Sequence, residues 1–505
     1  MKSIRFPLKY RCLLIGLILP AVFILSCGEG KEENRGETLA KNYCSSCHLF
    51  PQPGLLDTLT WKRSVLPAMG KLLGIEYYNG QAFRESTSPL PSADDWNAIV
   101  DYYLRNAPPV IPPQQRKDVR EITGIFQAHK ASDRGNVPAT GFLKIDSFNH
   151  LIYSANAFDS SLSIFDESLN FIRSKNMGGV VIDMDFQEAK DQKDRSGIFT
   201  NIGILFPNDL KKGSVSNFRI DENEMIDVSP PFIVGLPRPV QTLQADFNRD
   251  GLPDYLVCGF GNKTGALMWM KNLGAGKFQE NIIRPLPGAI KAYIDDFNRD
   301  GLPDIIALFG QAEEGIYLFE NKGDETFTTK PILKFPPVYG SSFFEMIDWN
   351  GDGKKDILYT CGDNADLSPV LKNYHGVYIF LNNGKDEYIQ KFFFPIYGCY
   401  KALARDFDKD GDLDLATIAY FPDEKKSQES FIYLENTGDF NFKPFSIADA
   451  SAGSWLTMDA GDVDGDGDED IVIGNFQPPL NKRFSSKDAG EKYSFSFILL
   501  ENKLR

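Results

Sequence analysis

The sequence predicts a mainly β protein, a β-propeller preceded by a small all-α domain, and a repeated motif carries this prediction. The nine residues DFNRDGLPD occur at 246–254 and recur without change at 296–304. Three further versions, DWNGDGKKD, DFDKDGDLD and DVDGDGDED, follow at 348–356, 406–414 and 462–470. Each period of about 50 residues also contains four short apolar runs, which is typical of a four-stranded propeller blade.

The first 27 residues predict a secretion signal. A basic start leads into the apolar run LLIGLILPAVFILSC, which is too short for a membrane span with proper flanks. The run ends in LSCG at 25–28, which resembles a bacterial lipobox and implies a lipid on Cys27; an uncleaved anchor helix is the alternative. The charged run 28–36 predicts a flexible tether and is similar to surface-export signals of some lipoproteins. We therefore expect an outer-membrane lipoprotein of a Gram-negative bacterium, on the periplasmic or the cell-surface side.

The net charge of the chain limits the classes of molecule that it can bind. The chain has 505 residues and a net charge of −15, which makes nucleic acid and anionic membrane surfaces poor partners and bound cations better ones. Of the seven cysteines, Cys258, Cys361 and Cys399 belong to no motif. Cys361 and Cys399 could pair in an oxidising compartment, but the odd remainder favours buried free thiols.

A haem-binding module is indicated at residues 44–48, which read CSSCH. This spacing lets the thiols of Cys44 and Cys47 add to the two vinyl groups of a haem while His48 ligates the iron. A redox dithiol or half of a zinc site would use the same letters in a cytosolic protein. Helical patterns before the motif and after the N-cap residue Ser92 frame it, and residues 37–107 resemble a class I cytochrome c with one covalent haem c.

Met69 is the best candidate for the second axial ligand, because it is the only methionine between His48 and the second helix. A thioether opposite a histidine raises the reduction potential of the iron. The same residue also fits the apolar stripe of a helix with Trp61, Val65 and Leu66, so an open or differently filled iron site stays possible.

The repeated nonapeptides predict calcium loops, about five in number. All obey D-x-[DN]-x-D-G-x-x-D, in which oxygens at positions 1, 3 and 5, the carbonyl of position 7 and the aspartate at position 9 surround one cation. A turn satisfied by water alone is the alternative. The predicted ligands are Asp246, Asn248, Asp250, Leu252 and Asp254; Asp296, Asn298, Asp300, Leu302 and Asp304; Asp348, Asn350, Asp352, Lys354 and Asp356; Asp406, Asp408, Asp410, Asp412 and Asp414; and Asp462, Asp464, Asp466, Asp468 and Asp470.

These repeats resemble the FG-GAP/VCBS family, whose integrin-type members are calcium-bearing seven-bladed β-propellers. The resemblance covers residues 136–505 and implies five blades with loops and two degenerate blades upstream, the first with a broken loop at 146–150. The chain ends after the third strand of its last blade, which would leave an open edge. We therefore expect the segment 108–135 to be a linker that supplies a closing outer strand at about 121–128.

Three functions fit a lipid-tethered haem carrier joined to a propeller, and the chain is not clearly an enzyme. Electron relay with the propeller as a docking scaffold for a redox partner or surface complex is favoured. The alternatives are a haem-dependent oxidoreductase with its substrate in the propeller funnel, and a surface adhesion or glycan-binding lipoprotein. Nothing in the sequence assigns a catalytic residue or an oligomeric state. The funnel is predicted to be lined by Arg238, Gln241, Lys291, Lys401 and Trp455.

Overall fold

The computed structural model describes residues 29–78, 81–84, 91–122, 124–132, 137–187, 195–365, 370–385, 387–477 and 495–504. The predicted signal peptide and the lipid site at Cys27 lie outside these residues. None of the helices in the described ranges is long and apolar enough to cross a membrane.

Seven antiparallel sheets follow one another along the chain, which confirms the predicted seven-bladed propeller. In chain order their strands are β5 Thr140–Asp146, β6 Leu151–Asn156, β7 Ser161–Asp166 and β8 Phe171–Asn176 in blade 1; β9 Val181–Gln187, β10 Arg195–Asn201, β11 Gly213–Ile220, β12 Ile226–Val228 and β13 Ile233–Leu236 in blade 2; β14 Pro239–Ala245, β15 Asp254–Gly259, β16 Ala266–Asn272 and β17 Phe278–Arg284 in blade 3; β18 Ala289–Asp295, β19 Asp304–Phe309, β20 Gly315–Asn321 and β21 Phe327–Lys334 in blade 4; β22 Ser341–Ile347, β23 Asp356–Cys361, β24 Gly376–Asn382 and β25 Tyr388–Pro395 in blade 5; β26 Cys399–Arg405, β27 Asp414–Ala419, β28 Phe431–Asn436 and β29 Phe442–Ser446 in blade 6; and β30 Trp455–Gly461, β31 Asp470–Asn475 and β32 Phe495–Asn502 in blade 7.

The core lies between neighbouring blades. The second strand of blades 3 to 7 is buried along its whole length, which matches continuous apolar runs such as IIALF in β19. Between blades 3 and 4, for example, Trp269 packs against Phe247 and Phe327 with ring centroids 5.9 and 6.1 Å apart. Each blade is therefore stabilised mainly by the next one around the ring.

An N-terminal strand closes the ring as expected from the sequence, but it lies later in the chain than the predicted segment 121–128. Strand β4, Phe126–Ser132, pairs antiparallel with β32 as the outer strand of blade 7. The earlier part of the predicted segment forms β3, Arg120–Glu121, which pairs parallel with β29 of blade 6. Gly124 adopts a φ of 99° between the two strands. The left-handed backbone there ends one strand and starts another, so the closing strand begins five residues later than predicted.

A helical unit precedes the propeller. It contains α1 Glu29–Cys44, α2 Thr58–Thr60, α3 Leu66–Leu72, α4 Ala93–Asn106, a π-helical turn Trp61–Val65, and the hairpin β1 Ile75–Tyr78 with β2 Gln81–Arg84. Within the described ranges, 3-10 helical turns occur at Pro53–Leu55, Glu424–Ser430 and Ala450–Ala452. Ser92 caps α4 as predicted, since its hydroxyl accepts a hydrogen bond from the amide of Asp95.

The predicted tether at 28–36 is helical from Glu29 onward. Residues at the end of this segment contact α4, which lies far away in the sequence. A Cβ on Gly36 would lie 2.5 Å from the carbonyl oxygen of Ala98, and Arg35 forms an ion pair with Asp95 at 2.8 Å. Close packing of α1 on α4 thus extends the helix into a run that composition alone marks as flexible.

The linker fixes the helical unit on the propeller. The apolar core of the helical unit continues through Ile111 of the linker to Val338 and Tyr374 of the propeller. The side-chain amide of Gln114 donates a hydrogen bond to the carbonyl of His375 at 2.9 Å, and Arg116 forms a buried ion pair with Glu429. These contacts hold the two parts of the molecule in one orientation.

Candidate functional site

The CSSCH motif lies at the C-terminus of α1. Cys44 is the last helical residue and is half-buried, whereas Cys47 is exposed, and both thiols are free. The Nδ1 atom of His48 lies 3.0 Å from the carbonyl oxygen of Leu49. Since a carbonyl only accepts, Nδ1 is the protonated nitrogen, and the lone pair of Nε2 is directed away from this bond. The donor set, two free thiols and one imidazole nitrogen with the correct tautomer, fits a covalent haem.

Tyr103 of α4 packs next to the CSSCH motif. The hydroxyl of Tyr103 donates a hydrogen bond to the carbonyl of Pro51 at 2.8 Å, and its ring lies 4.4 Å from that of Trp61. Burial raises the pKa of the Cys44 thiol, and a hydrogen bond with Tyr103 opposes this effect. Cys44 is therefore held as a neutral thiol against a rigid aromatic surface.

Met69 lies on α3 and is half-buried against the same apolar cluster as Tyr43 and Cys44. The next residue, Gly70, lies beneath Trp96: a Cβ there would come within 3.0 Å of the indole ring. The structure thus brings Met69 and the motif to one cluster, and iron ligation by Met69 stays a prediction.

The five predicted calcium loops occupy equivalent places, between the first and second strands of blades 3 to 7. In blades 3 to 6 the first aspartate receives the backbone amides of positions 5 and 6, as in Asp406, which accepts from Asp410 and Gly411 at 3.1 Å each. The aspartate at position 9 is buried in every loop and starts the second strand. Both oxygens of Asp254, for instance, accept backbone amides, from Asn272 at 2.7 Å and Phe247 at 3.2 Å.

Each blade with a loop also uses an asparagine that the sequence analysis missed. It ends the third strand. Its side-chain amide donates a hydrogen bond to the backbone carbonyl of the loop residue before the position-9 aspartate, and its side-chain oxygen accepts the backbone amide two residues further on. The five residues are Asn272, Asn321, Asn382, Asn436 and Asn502. The signal was present, because the third apolar run of every repeat ends in asparagine. These residues tie the loop to the blade rather than contact a cation.

Carboxylate crowding is greatest in the last two loops. Among the described residues, Asp406, Asp408 and Asp410 form one group whose oxygens lie within 4.8 Å of one another, and Asp462, Asp464 and Asp470 form another. Burial raises the pKa of Asp414 to about 7 and that of Asp470 to about 6, and repulsion between neighbouring carboxylates adds to it. Ligand sets made only of oxygen suit a hard cation such as Ca²⁺. In loops 1 and 2 the asparagine at position 3 instead donates to the aspartate at position 5.

Blade 1 replaces the loop by an ion pair. Its turn is short, and Asp146 at the end of β5 accepts two hydrogen bonds from the guanidinium of Arg195, the first residue of β10 in blade 2. This ion pair thus joins the degenerate blade to its neighbour.

Of the five predicted funnel residues, the structure brings Lys291 and Lys401 together. Lys291 and Lys401 both place their ammonium groups over the ring of Phe343, at 4.2 and 4.9 Å from its centroid. The ammonium group of Lys401 also donates to the carbonyl of Met458 of the next blade at 2.6 Å.

The other three predicted residues are buried or hydrogen-bonded to a neighbouring blade. Gln241 accepts the amide of Ala292 in the next blade at 2.7 Å. Arg238 and Trp455 are buried, the former bonded to the carbonyls of Leu205 and Gly261. The expectation that these two line a channel is wrong, because interblade packing takes up their side chains. Cys258, Cys361 and Cys399 are buried free thiols.

Comparisons with known proteins bear on the repeats. A model of the FG-GAP-like repeat matches residues 246–307, 296–359 and 406–473. A search of the curated proteins gives no match. Among solved structures, virginiamycin B lyase from Staphylococcus aureus is 11% identical with a TM-score of 0.45, over 74% of this chain and 98% of that one. A proposed 6-phosphogluconolactonase from Bacteroides fragilis is 11% identical with a TM-score of 0.39, over 61% and 84%. Similarity at this level says nothing about activity. The chain is thus a seven-bladed β-propeller with FG-GAP-like repeats and a helical unit before it.

Proposed function

We propose that this chain is a membrane-anchored c-type cytochrome outside the cytoplasm, which relays single electrons and uses its calcium-stabilised propeller as the docking scaffold for a redox partner. The observation that carries the proposal is the arrangement of Cys44, Cys47 and His48 at the end of α1, with both thiols free and Nε2 of His48 available. The lipid anchor at Cys27 rests on the sequence pattern.

A haem c bound to these residues supplies an iron that cycles between two oxidation states. The chain holds the histidine ring through the Leu49 carbonyl, and such a bond raises the basicity of the ligating nitrogen. If Met69 ligates the iron, its thioether would favour the reduced state. The rings of Tyr103 and Trp61 next to the motif are themselves buried and pack against each other.

The mounting of the helical unit supports the docking role. Because Gln114 and Arg116 bind the linker to blades 5 and 6, the motif has a fixed position relative to the propeller surface. A partner bound to the propeller therefore meets the redox site at a constant distance and angle, which reduces the entropic cost of each productive encounter.

An oxidoreductase with its substrate in the channel has less support. Of the five residues expected to line the channel, Arg238 and Trp455 are buried and Gln241 and Lys401 are bonded to neighbouring blades. These four side chains therefore already have roles in packing and in bonds between blades.

The haem proposal is tested by absorption spectroscopy of the protein matured in a host that attaches haem c. We expect one covalent haem per chain, with a low-spin spectrum that carbon monoxide does not change. His48→Ala should lose that spectrum, and Met69→Leu should keep the haem but bind carbon monoxide; Met184→Leu in β9 is the matched control and should change neither. Absence of covalent haem from the matured wild type would refute the proposal. Carbon monoxide binding by the wild type would refute only the ligation of the iron by Met69 and would leave the haem assignment intact.

The calcium proposal is tested by thermal unfolding. A ligand that binds only the folded state at about 100 times its Kd stabilises that state by about 2.7 kcal/mol. Excess chelator should therefore lower the Tm of the propeller. Asp410→Asn, at the position that is aspartate in all five loops, should lower it in calcium buffer, while Asp324→Asn, on an exposed turn of blade 4, should have a much smaller effect. An unchanged Tm after metal analysis has shown complete removal would contradict structural calcium.

A further inference from the structure

We propose that the central channel of the propeller binds a small oxyanion of the carboxylate or phosphate class, held between the ammonium groups of Lys291 and Lys401. The first strands of the seven blades contact one another around the whole ring and so surround this channel. Lys291 lies on β18 of blade 4, and Lys401 lies on β26 of blade 6. The inference goes beyond the docking role proposed for the propeller and depends on neither haem nor calcium.

Phe343, on the first strand of the intervening blade 5, brings the two cations together. The Nζ atom of Lys291 lies 4.2 Å from the centroid of its ring, and that of Lys401 lies 4.9 Å from it. Phe343 is buried, whereas both lysines are half-buried, so the channel leaves space beside them. Two like charges next to one ring repel each other, and an anion that lies between them offsets this repulsion.

Most of the hydrogen-bond donors of this lysine pair are not used by the protein. Among the described residues, Lys291 has no hydrogen bond or ion pair, and its ammonium group contacts only aromatic rings, those of Tyr293 and Phe343. Lys401 donates one hydrogen bond, to the carbonyl of Met458 at 2.6 Å. Since each ammonium group has three N–H donors, the pair can still bind an acceptor from the channel.

The carboxylates of the channel bind the backbone of the following blade rather than Lys291 or Lys401. They are Glu345, Asp459 and Asp183, which accept the amides of Ala404, Ile145 and Thr242 at 3.1, 2.9 and 3.4 Å. Glu345 also binds the guanidinium of Arg405 at 2.8 Å, and Asp459 lies 3.7 Å from the ammonium group of Lys144. The negative charges nearby are therefore already shared with other partners.

The pKa values of the two lysines agree with this geometry. Burial lowers the pKa of Lys401 to about 8, and the charge of Lys291 adds to this effect, while Asp459 and Glu345 oppose it. Burial also lowers the pKa of Lys291, although Glu345 and Asp183 act in the opposite direction. The carboxylates thus compensate the cost of holding two cations here only in part, and a bound anion would supply the missing counter-charge.

The ligand class follows from the donors. Carboxylate and phosphate oxygens accept short, charge-assisted hydrogen bonds from ammonium groups. Because Lys291 and Lys401 come from blades that are not neighbours in the ring, an anion bound to both joins blade 4 to blade 6 across blade 5. Binding should therefore stabilise the folded propeller, since the unfolded chain does not hold the two lysines together.

The test is isothermal titration of the full-length protein at pH 7 with inorganic phosphate and, separately, with succinate. We expect at least one of these anions to bind once per chain and to raise the Tm. Lys291→Met should weaken this binding at least tenfold and should still fold, because no hydrogen bond is lost; urea unfolding verifies this. Lys277→Met is the matched control, since it removes the same charge from an exposed turn of blade 3 and should leave the Kd unchanged.

Lys401→Met tests whether the two lysines share one anion. It should weaken binding about as much as Lys291→Met does, and Lys291→Met decides alone if loss of the bond to Met458 unfolds this second variant. The inference is wrong if neither anion binds the wild type, if either folded variant binds as tightly as the wild type, or if Lys277→Met loses as much affinity as Lys291→Met. None of these results changes the haem or calcium assignments.

Discussion

Replacing Arg195 with methionine removes the guanidinium that joins blade 2 to blade 1. The Nε atom of Arg195 lies 2.7 Å from one oxygen of Asp146, and a second nitrogen binds the other oxygen. The side chains are 14% and 6% exposed, so the variant leaves a carboxylate largely buried without its counter-charge. We expect this change to destabilise the propeller even in a buffer with saturating calcium.

The magnitude follows from burial and from the bonds that remain. Breaking a buried ion pair by removing one partner costs about 3–5 kcal/mol. Asp146 keeps the amides of Phe148 and Asn149 and the side-chain amide of Asn149 as donors, at 3.0 to 3.2 Å. These bonds continue to solvate the carboxylate, which places the expected loss at the lower end, about 3 kcal/mol.

Urea unfolding in saturating calcium measures this loss through the shift of the midpoint at constant slope. Lys443→Met is the matched control, because the pair of Lys443 with Glu435 is exposed, at 57% and 21%, and should contribute less than about 1 kcal/mol. Combining Arg195→Met with Asp146→Asn should recover part of the loss. If Arg195→Met destabilises no more than Lys443→Met does, the ion pair does not contribute to the stability of the contact between blades 1 and 2.

Two further predictions concern the helical unit and a buried histidine. Gly36→Ala forces a methyl group against the carbonyl of Ala98, and should lower the Tm of the helical unit by an amount equivalent to about 1–3 kcal/mol; Gly54→Ala, where a Cβ meets nothing within 4 Å, is the control, and equal effects would refute the helix contact. Burial, together with the nearby Lys372, holds the pKa of His375 well below its ordinary value of 6.5. The unfolded chain therefore takes up a proton below about pH 6.5 that the folded chain does not. The free energy of unfolding consequently decreases as the pH is lowered through this range. His375→Leu should gain stability relative to the wild type as the pH falls from 7 to 5, measured by urea unfolding at both values; a difference independent of pH would show that the histidine has the same pKa in the folded and the unfolded chain, which would refute the prediction.

Much of the architecture could be predicted because each blade repeats its own signals. The nonapeptides fix where the first strand ends and the second begins, and continuous apolar runs such as IIALF mark strands covered on both faces. The missing last strand was visible as an unpaired edge. Its position was not, because Gly124 divides the segment into strands that belong to two different blades.

The candidate sites divide in the same way. The spacing of Cys44, Cys47 and His48 is local, so the sequence carries it whole. The lining of the channel is not local: Trp455 and Arg238 occur at positions that suggest a funnel, yet both are buried by neighbouring blades. Polarity along one strand does not reveal which groups the next blade covers.

The sequence by itself determined the repeat, the number of blades, the acidic loops and the thiol–histidine motif, since each depends on residues close together in the chain. Tertiary structure alone decided what joins one blade to the next. Arg195 reaches Asp146 from 49 positions away, and Asp468 loses its solvent beneath a loop that brings Lys409 to it. Burial and counter-charge come from packing between repeats, and these set the free energy of a carboxylate far more than its neighbours in sequence do.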